Sequence, residues 1–176
     1  MPSLPSTAPD SAYAAFVSIA NSEYFIGENS IDKELITKGR VQSKGQAINQ
    51  KITHAINHSI NKDGELADLR LAVKDLFHIK GIPTAAGNPT WLSTHPIPEV
   101  SNTSVETLLQ SGAQYMGKTL TDELAYSLNG QNMHYPPLLN PLTPARMVGG
   151  SSSGSAAAVA SNLADIGLGT DTGGSI

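Results

Sequence analysis

Ile48, Ile52, Ile56 and Ile60 recur every four residues through GQAINQKITHAINHSINKDG, with Ala47 and Ala55 beside them. Positions four apart share one face of a helix, so the pattern predicts an amphipathic helix that closes near Gly64. Residues 11–38 carry apolar side chains without a clean period; within them SAYAAFVSIA suits helix or strand and is read as helix. Leu69 to Phe77, LRLAVKDLF, alternates and then stays apolar, as a strand entering a sheet does, and HIKGIPTAAGNP follows with glycine and proline turn signals. NTSVETLLQSG opens with an N-cap at Asn102 or Thr103 and stops at Gly112. AQYMG reads as a short strand, SAAAVASNLA as a helix and IGLG as a buried strand. Strands alternating with helices predict an α/β layer architecture around an at least partly parallel sheet.

With 176 residues and 39% apolar content, the chain can bury one core, and residues 1–176 are read as a single domain. Pro2, Pro5 and Pro9 make residues 1–10 a disordered tail, residues 11–64 a helical N-terminal segment, and residues 65–176 the core. Only 15% of the residues are charged, and the net charge of -4 is spread without long runs. That balance argues against nucleic acid or an anionic membrane surface as partner. The absence of cysteine excludes disulfides, zinc-cysteine clusters and thiol nucleophiles. The first cation is Lys33, so MPSLPSTAPD lacks the basic start of a secretory signal, and no apolar run is long enough to span a bilayer. A soluble, cytoplasmic protein is expected.

Four short motifs compete for attention. GAQYMGKT, Gly112 to Thr119, fits the phosphate-loop pattern at every fixed position. A working loop needs a strand before the first glycine and a helix after the lysine, because backbone N–H groups and the helix N-terminus together hold the phosphates. Here a helix pattern precedes Gly112, and Tyr115 and Met116 lie in strand-like sequence; nucleotide binding centred on Lys118 and Thr119 stands as an alternative function. His54 and His58 have metal-ligand spacing on one helix face, yet no third ligand suggests itself. Two S-x-x-K matches, Ser30 with Lys33 and Ser59 with Lys62, lack supporting motifs. GSSSG would make Ser152 the nucleophile of a strand-to-helix elbow, but a proline-broken loop precedes it and no histidine lies downstream.

A serine hydroxyl is a weak nucleophile and needs a base within hydrogen-bond reach. Without a credible histidine the base is lysine, which serves only when neutral, and burial is what lowers its pKa. Lys74 sits inside the apolar run LAVKDLF, where a charged ammonium is costly; the competing reading is a Lys74–Asp75 ion pair at a strand end. GTDTGGS, ending in Ser175, follows a predicted strand, and its glycines let the backbone turn and present successive N–H groups to a developing oxyanion. GGSSS precedes a helix, so Ser151 to Ser153 also suit plain N-caps.

AVKDLFHIKGIPTAAGNP, VGGSSSGSAAAVA and GLGTDTGGSI resemble, in order and spacing, three consecutive blocks of the amidase signature family. The resemblance runs from Leu71 to Ile176. It implies a mixed, mostly parallel sheet covered by helices on both faces, and an amide C–N hydrolase working through a Ser–Ser–Lys acyl-enzyme mechanism that needs no metal or cofactor. Lys74 is then similar to the general base, Ser151 to a bridging serine on a cis peptide, and Ser175 to the nucleophile. Thr172, Gly173 and Gly174 are candidates for the oxyanion hole, Asp171 is supporting, and Ser152 and Ser153 orient rather than react. GNPTWLSTH and TDELAYSLNGQNMHY resemble indole-3-acetamide amidases, which favours a stand-alone hydrolase of small aryl-acetamide-like amides over the glutaminase subunit of an amidotransferase. Members of the family run for several hundred residues, so these 176 are expected to be an N-terminal part of the fold, inactive alone and completed by a C-terminal part that a separate chain could supply. Homo-oligomers are compatible with the sequence.

Overall fold

The computed structural model of the chain describes residues 16–19, 54–135 and 138–176. Among the described residues four strands form one sheet in the order β1-β3-β2-β4: β1 is Phe16–Ile19, β2 Arg70–Lys74, β3 Gln114–Thr119 and β4 Ile166–Leu168. β2 runs parallel to both β3 and β4, whereas β1 pairs antiparallel with β3, so the sheet is mixed and mostly parallel, as expected. Helices α1 (residues 54–59), α2 (Pro89–Thr94), α3 (Thr103–Gln110) and α4 (Ser153–Ala160) fill the connections.

The period-2 alternation of β2 divides the core into two layers. Leu71 and Val73 point to one face, where they meet Val105 of α3, Tyr115 of β3 and Ile56 of α1. Ala72 points to the other, against Ala157 and Ala158 of α4, with Met116 and Leu163 around them. Helices therefore cover both faces. Lys74 follows Ala72 by two positions and so shares the α4 face, at the C-terminal end of its strand. α4 approaches closely because its sheet-facing residues are small: Gly154, Ser155, Ala157 and Ala158 are all buried.

Local signals account for the element ends. Asn102 caps α3 by accepting from the Ser104 N–H, and Gly112 ends the turn beyond it with φ +102°. A Cβ at Gly112 would lie 2.6 Å from the Asn61 carbonyl oxygen, so the chain leaving α1 packs directly on the glycine. The β2–β3 register slips between Leu71 and Ala72, and the amide of Asn57 in α1 bonds both backbone groups of Tyr115 there.

Three expectations need correction. SAYAAFVSIA, expected to be helix, contains strand β1; the antiparallel partner offered by β3 decides a stretch whose own pattern suits either state. IGLG, expected to be a buried strand, is partly exposed, because among the described residues β4 pairs only with β2 and forms an edge. Helix α2 is an addition to the expected elements, although Asn88 as N-cap followed by Pro89 is a starting signal. Ile48, Ile52 and the N-terminal tail lie outside the described residues.

Candidate active site

The turn that enters α4 and the loop that follows β4 converge on the Lys74 side chain, at the C-terminal end of β2. Lys74 is completely buried. Its Nζ donates to Ser151 Oγ at 2.7 Å, to Ser152 Oγ at 2.9 Å and to Thr170 Oγ1 at 2.7 Å. Burial lowers its pKa to about 8, against the opposing pull of the Asp122 and then the Asp171 carboxylate. The amine is therefore surrounded by hydroxyls, with no carboxylate in hydrogen-bond contact among the described residues, and its neutral form is within reach near neutral pH.

Ser151, in a turn with a cis peptide between Gly150 and Ser151, and Ser153, the first residue of α4, are both buried. Ser152 precedes α4 but makes no capping bond; its hydroxyl meets Lys74, the Thr170 carbonyl and the Ser175 carbonyl instead. Its backbone N–H also donates to the Ser175 carbonyl at 3.2 Å, so the end of the TDTGGS loop is fastened to the serine turn. The N-cap reading therefore fails for Ser152, while Ser153 Oγ is buried without a hydrogen-bond partner among the described residues. Ser175 is 8% exposed. No hydrogen bond joins the Ser151 and Ser175 hydroxyls among the described residues; the two serines are linked through Ser152.

The TDTGGS loop holds its own shape. Asp171 Oδ1 accepts from the N–H groups of Gly174 and Ser175, at 2.5 and 2.9 Å, and these bonds hold its carboxyl below the usual carboxylate range. The Gly174 N–H, an oxyanion candidate, is thus committed to Asp171 in this conformation, and the Gly173 N–H bonds the same carboxylate more weakly. Thr172 and Gly173 are exposed beside it. A cleft of about 380 Å³ opens next to the loop, with Gly149, Gly150, Ser152 and Ser175 in its walls.

The alternatives separate on the same geometry. Lys74 and Asp75 do not pair: successive strand residues point to opposite faces, and Asp75 meets Lys118 at 3.0 Å. Lys118 is 1% exposed and also donates to the Phe77 carbonyl and to Thr84. Burial pushes both members of this pair toward their neutral forms, and each charge opposes that push for the other. The phosphate-loop reading is corrected accordingly: Gln114 to Thr119 is a buried strand rather than a loop, and its lysine is consumed in the core. His54 and His58 are exposed, with ring centroids 6.1 Å apart, and no cluster of three or more metal-binding side chains occurs among the described residues.

Two contributors escaped sequence reasoning. Thr170 supplies a hydroxyl to Lys74 from the residue just before Asp171; only its place at the end of β4 hinted at it. Asp122 is fully buried beside the serine turn and carried no signal beyond following β3.

The chain is similar to known proteins. Residues 42–176 match the family model described as Amidase. Amidase 1 of Arabidopsis thaliana is 45% identical over 127 residues, covering 72% of this chain and 30% of that protein. A glutamyl-tRNA(Gln) amidotransferase subunit of Halobacterium salinarum is 42% identical over 65% of this chain and 26% of its own length. A solved structure described as a crystal structure of amidase superposes with a TM-score of 0.61 at 32% identity, covering 94% of this chain and 32% of that one. The chain thus spans about a third or less of these relatives. Among the described residues no helix is long and apolar enough to cross a membrane.

Proposed function

The chain belongs to the amidase family, and from that premise we propose that it carries the proton relay and nucleophile of an enzyme that hydrolyses the C–N bond of small amides. The observation that carries the reading is the buried Lys74 amine within 2.7 Å of the Ser151 hydroxyl, on a turn bonded to the backbone of Ser175. Neutral Lys74 takes the Ser151 proton while Ser151 takes that of Ser175, and Ser175 Oγ attacks the amide carbonyl. The C–N bond breaks as the leaving nitrogen receives the proton back through Ser151, leaving an acyl-serine. Water activated by the same relay then releases the carboxylate and restores Ser175. The relay requires the Ser175 hydroxyl to turn toward Ser151. The Thr172 N–H group receives the oxyanion, joined by those of Gly173 and Gly174 once their bonds to Asp171 give way.

The substrate is an uncharged aryl-acetamide-like amide on this reading, by the resemblance of GNPTWLSTH and TDELAYSLNGQNMHY. Similarity to a glutamyl-tRNA(Gln) amidotransferase supports a second reading, in which glutamine supplies the amide and the ammonia passes to a partner protein. Ammonia release from indole-3-acetamide and from glutamine, compared on the protein at its full natural length, separates the two. A fluorophosphonate is expected to label that protein at Ser175, and Ser175→Ala to abolish both labelling and turnover. Undiminished turnover in Ser175→Ala ends the proposal. Lys74→Ala is expected to lose more activity than Ser152→Ala, because only the former removes the base. A cytoplasmic location, the remaining element of the reading, is checked by cell fractionation.

A further inference from the structure

Among the described residues, Asp122 is the group beside this site whose burial the relay does not explain. Its side chain is fully inaccessible, and among the described residues it has no ion-pair partner. Oδ2 accepts from the Gly130 N–H at 3.1 Å, while Oδ1 is buried without a hydrogen-bond partner among the described residues. A carboxylate so placed is costly unless a nearby charge compensates.

Two contacts tie it to the serine turn. Its backbone N–H donates to the Ser151 carbonyl at 3.3 Å. Its carboxylate lies against the Cα of Gly150, so closely that a Cβ there would fall 2.6 and 2.7 Å from the two oxygens. Gly130, which holds Oδ2, packs in turn on Gly149: a Cβ at Gly130 would meet the Gly149 carbonyl oxygen. Asp122 and Gly130 therefore brace the Gly149–Gly150–Ser151 turn from the side of β3.

We infer that Asp122 is a positioning residue of the relay: it braces the turn that presents Ser151 to Lys74, and it supplies a fixed negative charge to the Lys74 ammonium that forms when the proton is taken up. The inference rests on the amidase reading above. Two carboxylates act on the Lys74 amine: Asp171 follows β4 and is bonded to its own loop, and Asp122 follows β3 with one oxygen unspent, while Asp75, next to Lys74 in the chain, points away and is engaged by Lys118. Gly150 is glycine because the carboxylate occupies the space of a side chain.

The test is the pH profile of kcat/KM in Asp122→Asn, at full natural length and with an uncharged amide. Loss of the charge makes the Lys74 ammonium less favourable, so the acid limb is expected to move to lower pH by on the order of one unit. A purely structural role lowers activity and leaves the limb where it was; that result overturns the inference. A double-mutant cycle adds a readout that does not depend on pH: Gly150→Ala is expected to cost at least tenfold in kcat alone, and markedly less in an Asp122→Ala background, where the space is vacated. Independent effects of the two substitutions overturn the bracing. If Ser175→Ala retains turnover, the amidase reading itself has failed; if it is inactive and the Asp122→Asn limb does not move, only this inference has.

Discussion

A lysine serves as base only in the fraction of molecules that have lost its proton, and burial of Lys74 makes that fraction useful. With its pKa lowered from 10.5 to about 8, roughly one amine in ten is neutral at pH 7. At the unperturbed value the fraction would be roughly 3 in 10,000, so burial multiplies the available base about 300-fold. Below pH 7, log kcat/KM for an uncharged amide is therefore expected to rise by one per pH unit, to bend near pH 8 and to level above it. Ammonia release from the full-length protein between pH 5.5 and 9.5 gives the profile, with solvent-exposed titrations controlled by varying ionic strength. Lys74→Arg keeps length and charge but cannot lose its proton, and a fall on the order of 10³-fold or more is expected at every pH. A profile level from pH 6 to 9.5, or a limb near the ordinary lysine value, would refute the argument that burial creates the base.

Two further predictions concern stability. Lys118→Met leaves the Asp75 carboxylate buried without its cation and is expected to cost about 3–5 kcal/mol in denaturant unfolding, with much of the loss recovered in Lys118→Met/Asp75→Asn; a single substitution within 1 kcal/mol of the parent contradicts this. Arg70 grips Asp165 through Nε and a terminal nitrogen, at 2.9 and 2.8 Å, joining the starts of β2 and β4 and holding the Asp165 pKa at about 2. Because the folded value lies below the ordinary 3.8, this stabilisation is present above about pH 4 and is lost as pH falls through about 2. Asp165→Asn is expected to cost roughly 1 kcal/mol or less at pH 7, given the partial exposure of the pair, and the gap from the parent to close in acid.

The elements whose pattern is strong are legible. The alternation in LRLAVKDLF, the Asn102 cap and the Gly112 stop all reappear, because period and cap chemistry act within a few residues. Phe16–Ile19 departs from expectation because its own residues do not distinguish helix from strand and the deciding contact lies about a hundred positions away. The serines of GGSSS suit both caps and chemistry until the fold places Lys74 against them. Thr170 and Asp122 are invisible for the same reason: hydroxyl and carboxylate side chains are common, and only their burial beside one amine sets these two apart.

By itself, the sequence determined the alternating strand that buries Lys74, the glycines that let two loops turn sharply, and the resemblance that pointed to Lys74, Ser151 and Ser175. Which lysine faces the serines was a decision of the tertiary structure. Lys74 and Lys118 both lie in short apolar strands, but pleating and register send one to the hydroxyls beside α4 and the other to Asp75. A base is a side chain plus its surroundings, and those surroundings come from residues 77 to 96 positions further along the chain.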